Sequence, residues 1–142
     1  MQVANADEMQ KEAGRFALAL VRRSAGATVV ALSGELGAGK TTFAQGLARA
    51  LGVEEQVTSP TFVLERVYPL MGQQFDRLVH IDAYRLKDRG ELSVLGWNEL
   101  VKEPGTLVLI EWPEMVDGAL PEDAMRITIS GVGEGREIIY GN

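Results

Sequence analysis

Residues 34 to 41 read Gly-Glu-Leu-Gly-Ala-Gly-Lys-Thr, satisfying G-x-x-x-x-G-K-[ST], with Thr42 next. The pattern constrains a fold only where a strand precedes it and a helix follows. Both flanks are present. Thr28 to Leu32 is a short apolar run with β-branched Thr28, Val29 and Val30, bounded by Gly26 and Gly34, the form of a strand buried on both faces. On the other side Phe43, Leu47, Ala50 and Leu51 recur at helical spacing, and Gly52 stands where a left-handed residue would end that helix. Glycines in such a turn let successive N–H groups point inward, and the helix start adds the positive end of its dipole, so the segment is a cradle for phosphate. Lys40 is placed to reach the β- and γ-phosphates of a nucleotide and the Thr41 hydroxyl to coordinate Mg²⁺. Thr42 either contacts the α-phosphate or helps start the helix. No [N/T]-K-x-D segment occurs, so the expected ligands are ATP and Mg²⁺ rather than a guanine nucleotide.

The remaining chain alternates helical and strand patterns. Met9, Ala13, Phe16 and Leu20 fall four, three and four apart and predict a helix over Asp7 to Arg23. Strands are expected at Phe62 to Val67, Leu78 to Asp82, Thr106 to Glu111, Arg126 to Ser130 and Glu137 to Tyr140. One or two short helices are expected within Glu91 to Val101, a hairpin loop at Pro69 to Gln74, and a surface connection at Pro113 to Pro121. The pattern predicts an α/β fold, a P-loop NTPase-like three-layer sandwich with a central, mostly parallel sheet and an antiparallel part.

Composition narrows the chemistry. At 142 residues with 46% hydrophobic, one domain spanning 1–142 with one core is expected. The absence of cysteine removes thiolate catalysis and Cys-rich zinc sites, and a single histidine removes a His-rich metal site. A formal charge of −6 argues against binding nucleic acid by bulk electrostatics, so any such contact is expected through a partner. No leader-like start and no apolar run of membrane-spanning length is seen, which predicts a cytoplasmic protein without membrane contact.

Two apolar runs end in an acid: Leu78-Val79-His80-Ile81-Asp82 and Leu107-Val108-Leu109-Ile110-Glu111. Acids at the carboxyl edge of a parallel sheet face the place where ligands bind. One can hold Mg²⁺ while the other orients or activates water, and the two runs alone leave the division open. Thr58-Ser59-Pro60-Thr61-Phe62 lies where such proteins carry a loop that senses the γ-phosphate, and Pro60 biases Ser59 toward extended backbone. His80, alone inside a strand, is read as a structural residue.

Gly34 to Thr42, Ser59-Pro60-Thr61-Phe62, His80-Ile81-Asp82-Ala83-Tyr84-Arg85-Leu86 and Glu111-Trp112-Pro113-Glu114 together resemble, in order and spacing, the bacterial TsaE (YjeE) family. That family is the ATPase component of tRNA threonylcarbamoyladenosine biosynthesis. The resemblance runs from Asp7-Glu8 to Gly135-Arg136-Glu137, and departs from the family pattern at Asp88-Arg89-Gly90-Glu91. It implies a Mg²⁺-dependent ATPase that works with the TsaB and TsaD proteins and meets tRNA through them. By matching position, it implies that Leu36, Gly37, Ala38, Gly39, Lys40, Thr41 and Thr42 hold the nucleotide and that Thr41 and Glu111 hold Mg²⁺. Asp82 would serve hydrolysis through water, with Lys40 on the phosphates and Thr61 in the γ-phosphate loop. Glu8 and Arg136 match positions near the base and ribose. Tyr84, Arg85 and Trp112 are left open between packing, partner contact and the nucleotide. A small-molecule kinase and a non-hydrolytic nucleotide switch are the competing readings.

Overall fold

The computed structural model describes residues 1–35, 37–54, 65–84, 86, 89–116 and 118–141. In chain order the elements are β1 (Gln2–Val3), α1 (Ala6–Ala19), β2 (Thr28–Ser33), α2 (Lys40–Ala50), β3 (Glu65–Pro69) and β4 (Arg77–Asp82). There follow α3 (Arg89–Val94), α4 (Trp97–Leu100), β5 (Thr106–Glu111), a 3₁₀ turn (Pro113–Val116), β6 (Met125–Val132) and β7 (Gly135–Gly141). The strands make one seven-stranded sheet in the order β1-β7-β6-β2-β5-β4-β3. Its middle, β6, β2, β5 and β4, is parallel. Antiparallel pairs flank it, β3 on β4 at one edge and β7 on β6, with β1 on β7, at the other.

The central strands read as unbroken apolar runs because both faces are covered. Alternate residues point to opposite faces, and the core divides accordingly. Val30, Leu32, Leu107 and Leu109 pack with Phe16 of α1 and Phe43 and Leu47 of α2. Val29, Ala31, Val108 and Ile110 pack with Leu92 of α3 and Trp97 and Leu100 of α4. The result is the expected helix–sheet–helix sandwich, mostly parallel with antiparallel margins.

Several boundaries differ from the sequence pattern, each for a local reason. The first helix ends at Ala19 rather than Arg23, because Leu20 turns to extended backbone (ψ 143°). Beyond it the backbone N–H of Arg22 bonds the Gln74 side chain and the Arg23 guanidinium bonds Ala27 O and Asp123. The connection after Pro113 is not wholly a surface loop, since Pro113 and Val116 of the 3₁₀ turn are buried. β6 and β7 each run longer than their apolar centres, joined at Gly133 (φ 59°). The expected strand at Phe62 overlaps β3 only from Glu65; residues 55–64 lie outside the described residues.

Candidate nucleotide site

β2 and α2 are joined by the glycine-rich loop, as the motif requires. Gly37 (φ 80°) and Gly39 (φ 111°) hold left-handed backbone, and Gly39 is the N-cap of α2. Glycine at 34 is also a steric need: a Cβ there would lie 2.5 Å from Ile129 O on neighbouring β6. Arg136 of β7 braces the loop from outside, its Nε donating to Ala38 O (3.0 Å) and Nη2 to Gly37 O (3.3 Å).

Lys40 opens α2 and is only 6% exposed. Its ammonium donates to Gly34 O and to Glu35 O (3.2 Å), folding back onto the loop. Burial pushes its pKa below the ordinary lysine value, against the opposing pull of Glu111, Glu114 and Asp82. The ammonium also sits 3.9 Å from the centroid of the Trp112 ring, a cation–π contact. Trp112 in turn packs against Tyr84, with centroids 4.9 Å apart. At φ 60° Trp112 is the single non-glycine residue with positive φ among the described residues, a posture costing roughly 1–2 kcal/mol.

The two acids meet because β4 and β5 are parallel and in register, with Asp82 opposite Glu111 and His80 opposite Leu109. Leu107 and Leu109 face the α1–α2 layer, so strand alternation sends Glu111 to that same face, and His80 and Asp82 with it. Both acids thereby share the face of the helix that carries Lys40. Asp82 accepts the Tyr84 N–H (2.9 Å). Burial, with some help from Glu111, raises its pKa despite that bond. Glu111 is 2% exposed, and its Oε2 lies 2.5 Å from His80 Nε2. His80, expected from the sequence to be a structural strand residue, thus belongs to the site. Its separation of two from Asp82, which puts both on one face of β4, was the signal available.

Beside the loop is a cavity of about 230 Å³ lined by Asn5, Met9, Gly37, Gly39, Thr42 and Arg136, among others. Glu8 lies in the first turn of α1, where Asn5 Oδ1 accepts its N–H (3.0 Å) and its own Oε1 accepts the Ala4 N–H (3.2 Å). Asn5 thus caps the helix while Glu8 ties back to the residue before that cap, and Glu8 lines an adjoining cavity with Gln2, Glu134 and Arg136, so Arg136 borders both hollows. Thr41 and Thr42 occupy the first turn of α2. Leu36, Ser59, Thr61 and Arg85 are outside the described residues.

This donor set fits a nucleotide phosphate. The loop is glycine where a side chain would intrude, a cation is buried at its end, and a hollow adjoins it. No group of three or more metal-ligating side chains occurs among the described residues. Mg²⁺ does not need one, because it is commonly held by one or two carboxylates together with substrate phosphates and water.

Comparison with known proteins agrees with this arrangement. The family model described as threonylcarbamoyl adenosine biosynthesis protein TsaE matches residues 3–138. The tRNA threonylcarbamoyladenosine biosynthesis protein TsaE of Streptomyces coelicolor is 44% identical over 84% of this chain and 77% of its own. The Treponema pallidum protein of the same name is 44% identical over 78% of this chain and 79% of its own. The solved structure of Bacillus subtilis YdiB superposes with a TM-score of 0.75 at 29% identity, covering 99% of this chain and 82% of that one. With the glycine loop, the paired strand-end acids and a family match from one end of the sheet to the other, the chain belongs to the TsaE family.

Proposed function

We propose that this protein binds ATP with Mg²⁺ at Gly34–Thr42 and hydrolyses it in tRNA threonylcarbamoyladenosine biosynthesis. It would act in the cytoplasm with TsaB and TsaD on the adenosine beside the anticodon, meeting tRNA through those partners. The observation that carries the reading is the register of β4 and β5, which brings Asp82 and Glu111 side by side on the face of α2 that begins with Lys40. A buried and a half-buried acid next to a phosphate cradle serve hydrolysis better than mere retention of a nucleotide.

In this reading Lys40 exchanges its carbonyl partners for β- and γ-phosphate oxygens, and the α2 N-terminus and loop N–H groups hold the same charge. Thr41 and Glu111 hold Mg²⁺, which when bound neutralises charge developing on the phosphates. Asp82, with its raised affinity for a proton, is suited to orient or accept from the attacking water. Arg136 keeps the loop in shape at the base and ribose side, with Glu8 across the adjoining hollow, and Thr61 belongs to the loop that responds to the γ-phosphate.

The test follows phosphate release with and without TsaB, TsaD and tRNA while screening for a phosphorylated acceptor. Release stimulated by the partners, and tRNA modification lost in Lys40→Ala, is the expected result. Acceptor phosphorylation would favour a kinase instead, and modification untouched by Lys40→Ala would overturn the proposal.

A further inference from the structure

We propose that His80 is a positioning residue for Mg²⁺, its Nε2–H holding the Glu111 carboxylate in the orientation in which it meets the ion. The inference rests on the reading of Glu111 as a metal ligand. It starts from burial: His80 and Glu111 side chains are 1% and 2% exposed and meet at 2.5 Å. A carboxylate enclosed this deeply needs a donor, and its neighbour across the strands supplies one on the diagonal of the ladder, since His80 is paired with Leu109, two residues before Glu111.

The chemistry of the donor matters. A lysine or arginine at position 80 would cancel the negative charge that a metal ligand must keep, whereas a neutral imidazole donates one hydrogen bond and leaves that charge in place. The ring's other nitrogen is consistent with Nε2 as the donor. Nδ1 is buried and has no hydrogen-bond partner among the described residues. With Nε2 protonated toward Glu111, Nδ1 is an unmet acceptor, which folded proteins tolerate better than an unmet N–H. One bond thus orients the ring, its Nε2 toward Glu111. Partners of this kind behind a metal ligand typically account for 10–100-fold in metal affinity.

The experiment uses the whole chain and a fluorescent ATP analogue, titrating Mg²⁺ for wild type, His80→Gln and His80→Leu. The glutamine amide can reach Glu111 as a donor; leucine cannot. The Mg²⁺ midpoint should rise roughly 10–100-fold in His80→Leu and stay near wild type in His80→Gln, with Mg²⁺-free analogue affinity unchanged in both. A wild-type midpoint in His80→Leu, or equal shifts in both variants, overturns the proposal. Because the chain has a single histidine, ¹⁵N NMR of its side chain is unambiguous and requires no substitution. Nε2 should be protonated and Nδ1 bare; the opposite tautomer overturns the proposal even where His80→Leu does not fold. Failure of wild type to bind the analogue at all would instead strike the ATP reading beneath it.

Discussion

Gly14 and Gly46 both lie where α1 packs on α2, and replacing each by alanine should move stability in opposite directions. A Cβ at Gly46 would lie 2.6 Å from both Cα and O of Gln10. Those are main-chain atoms of α1, so no side chain can turn aside, and restoring an ordinary contact of about 3.4 Å requires α1 to move by about 0.8 Å. Overpacking of this kind costs up to about 3 kcal/mol, and the better helix propensity of alanine returns about 1 kcal/mol. Gly46→Ala should therefore lose about 2 kcal/mol, a fall in Tm of roughly 6–10 °C for a chain of this size. At Gly14 the new Cβ would meet Ala50 Cβ at 3.5 Å, an ordinary contact. Gly14→Ala keeps the propensity gain of about 0.5–1 kcal/mol and should raise Tm by a few degrees. Thermal melts followed by circular dichroism measure both. Since α1 carries Asn5 and Met9 to the cavity beside the loop, Gly46→Ala should also weaken nucleotide binding while Gly14→Ala should not. Two shifts of the same sign would refute the reasoning.

Tyr140 donates to Glu12, which is 4% exposed and also bonded by Arg15. Tyr140→Phe keeps the stack on Phe16 but should cost about 1.5–2 kcal/mol in denaturant melts, the low end for a bond to a charged group. Arg15 foremost holds the Glu12 carboxyl below its usual range. Its contribution is complete above the unfolded carboxyl value and is lost as pH falls through the lower folded one, so acid melts of Glu12→Gln should converge on wild type. For Asp82 the sign reverses. Burial raises its pKa above 3.8, so its ionisation costs stability as pH rises through the folded value; Asp82→Asn should be the more stable protein near neutrality, with the gap closing below pH 3.8. Tryptophan emission gives a further check, because Lys40 leaving the Trp112 ring for phosphate should change it. Trp112→Phe retains Trp97, whose Nε1 donates to Ala119 O (3.0 Å), and should abolish the response to nucleotide; a persisting response contradicts the contact's role.

What could be read in advance was whatever depends on periodicity and local chemistry. Leu107 to Ile110 is unbroken apolar sequence before its acid because β5 lies inside the sheet between β2 and β4, and the bounds Thr106–Glu111 are the expected ones. Gly52 at φ 90° ends the helix after the loop as its position implied. Features made by tertiary contact were out of reach. β1 is two residues long and exists because β7 offers it an edge. Val116 looks like a loop residue until the core beneath α3 and α4 claims it. His80 reads as a strand residue until the register of β4 on β5 brings it against Glu111. Trp112 carries no sign in sequence that its ring will lie over the loop lysine, because that depends on its backbone turning to φ 60° after β5.

Calorimetric titration of ATP into the chain, with and without Mg²⁺, tests the central claim most directly. The account predicts one site per chain, tightened by Mg²⁺ and lost in Lys40→Ala, whose removal of a buried cation at the start of α2 leaves the fold intact by circular dichroism. Failure of the folded wild-type chain to bind ATP, or undiminished binding by Lys40→Ala, would contradict it.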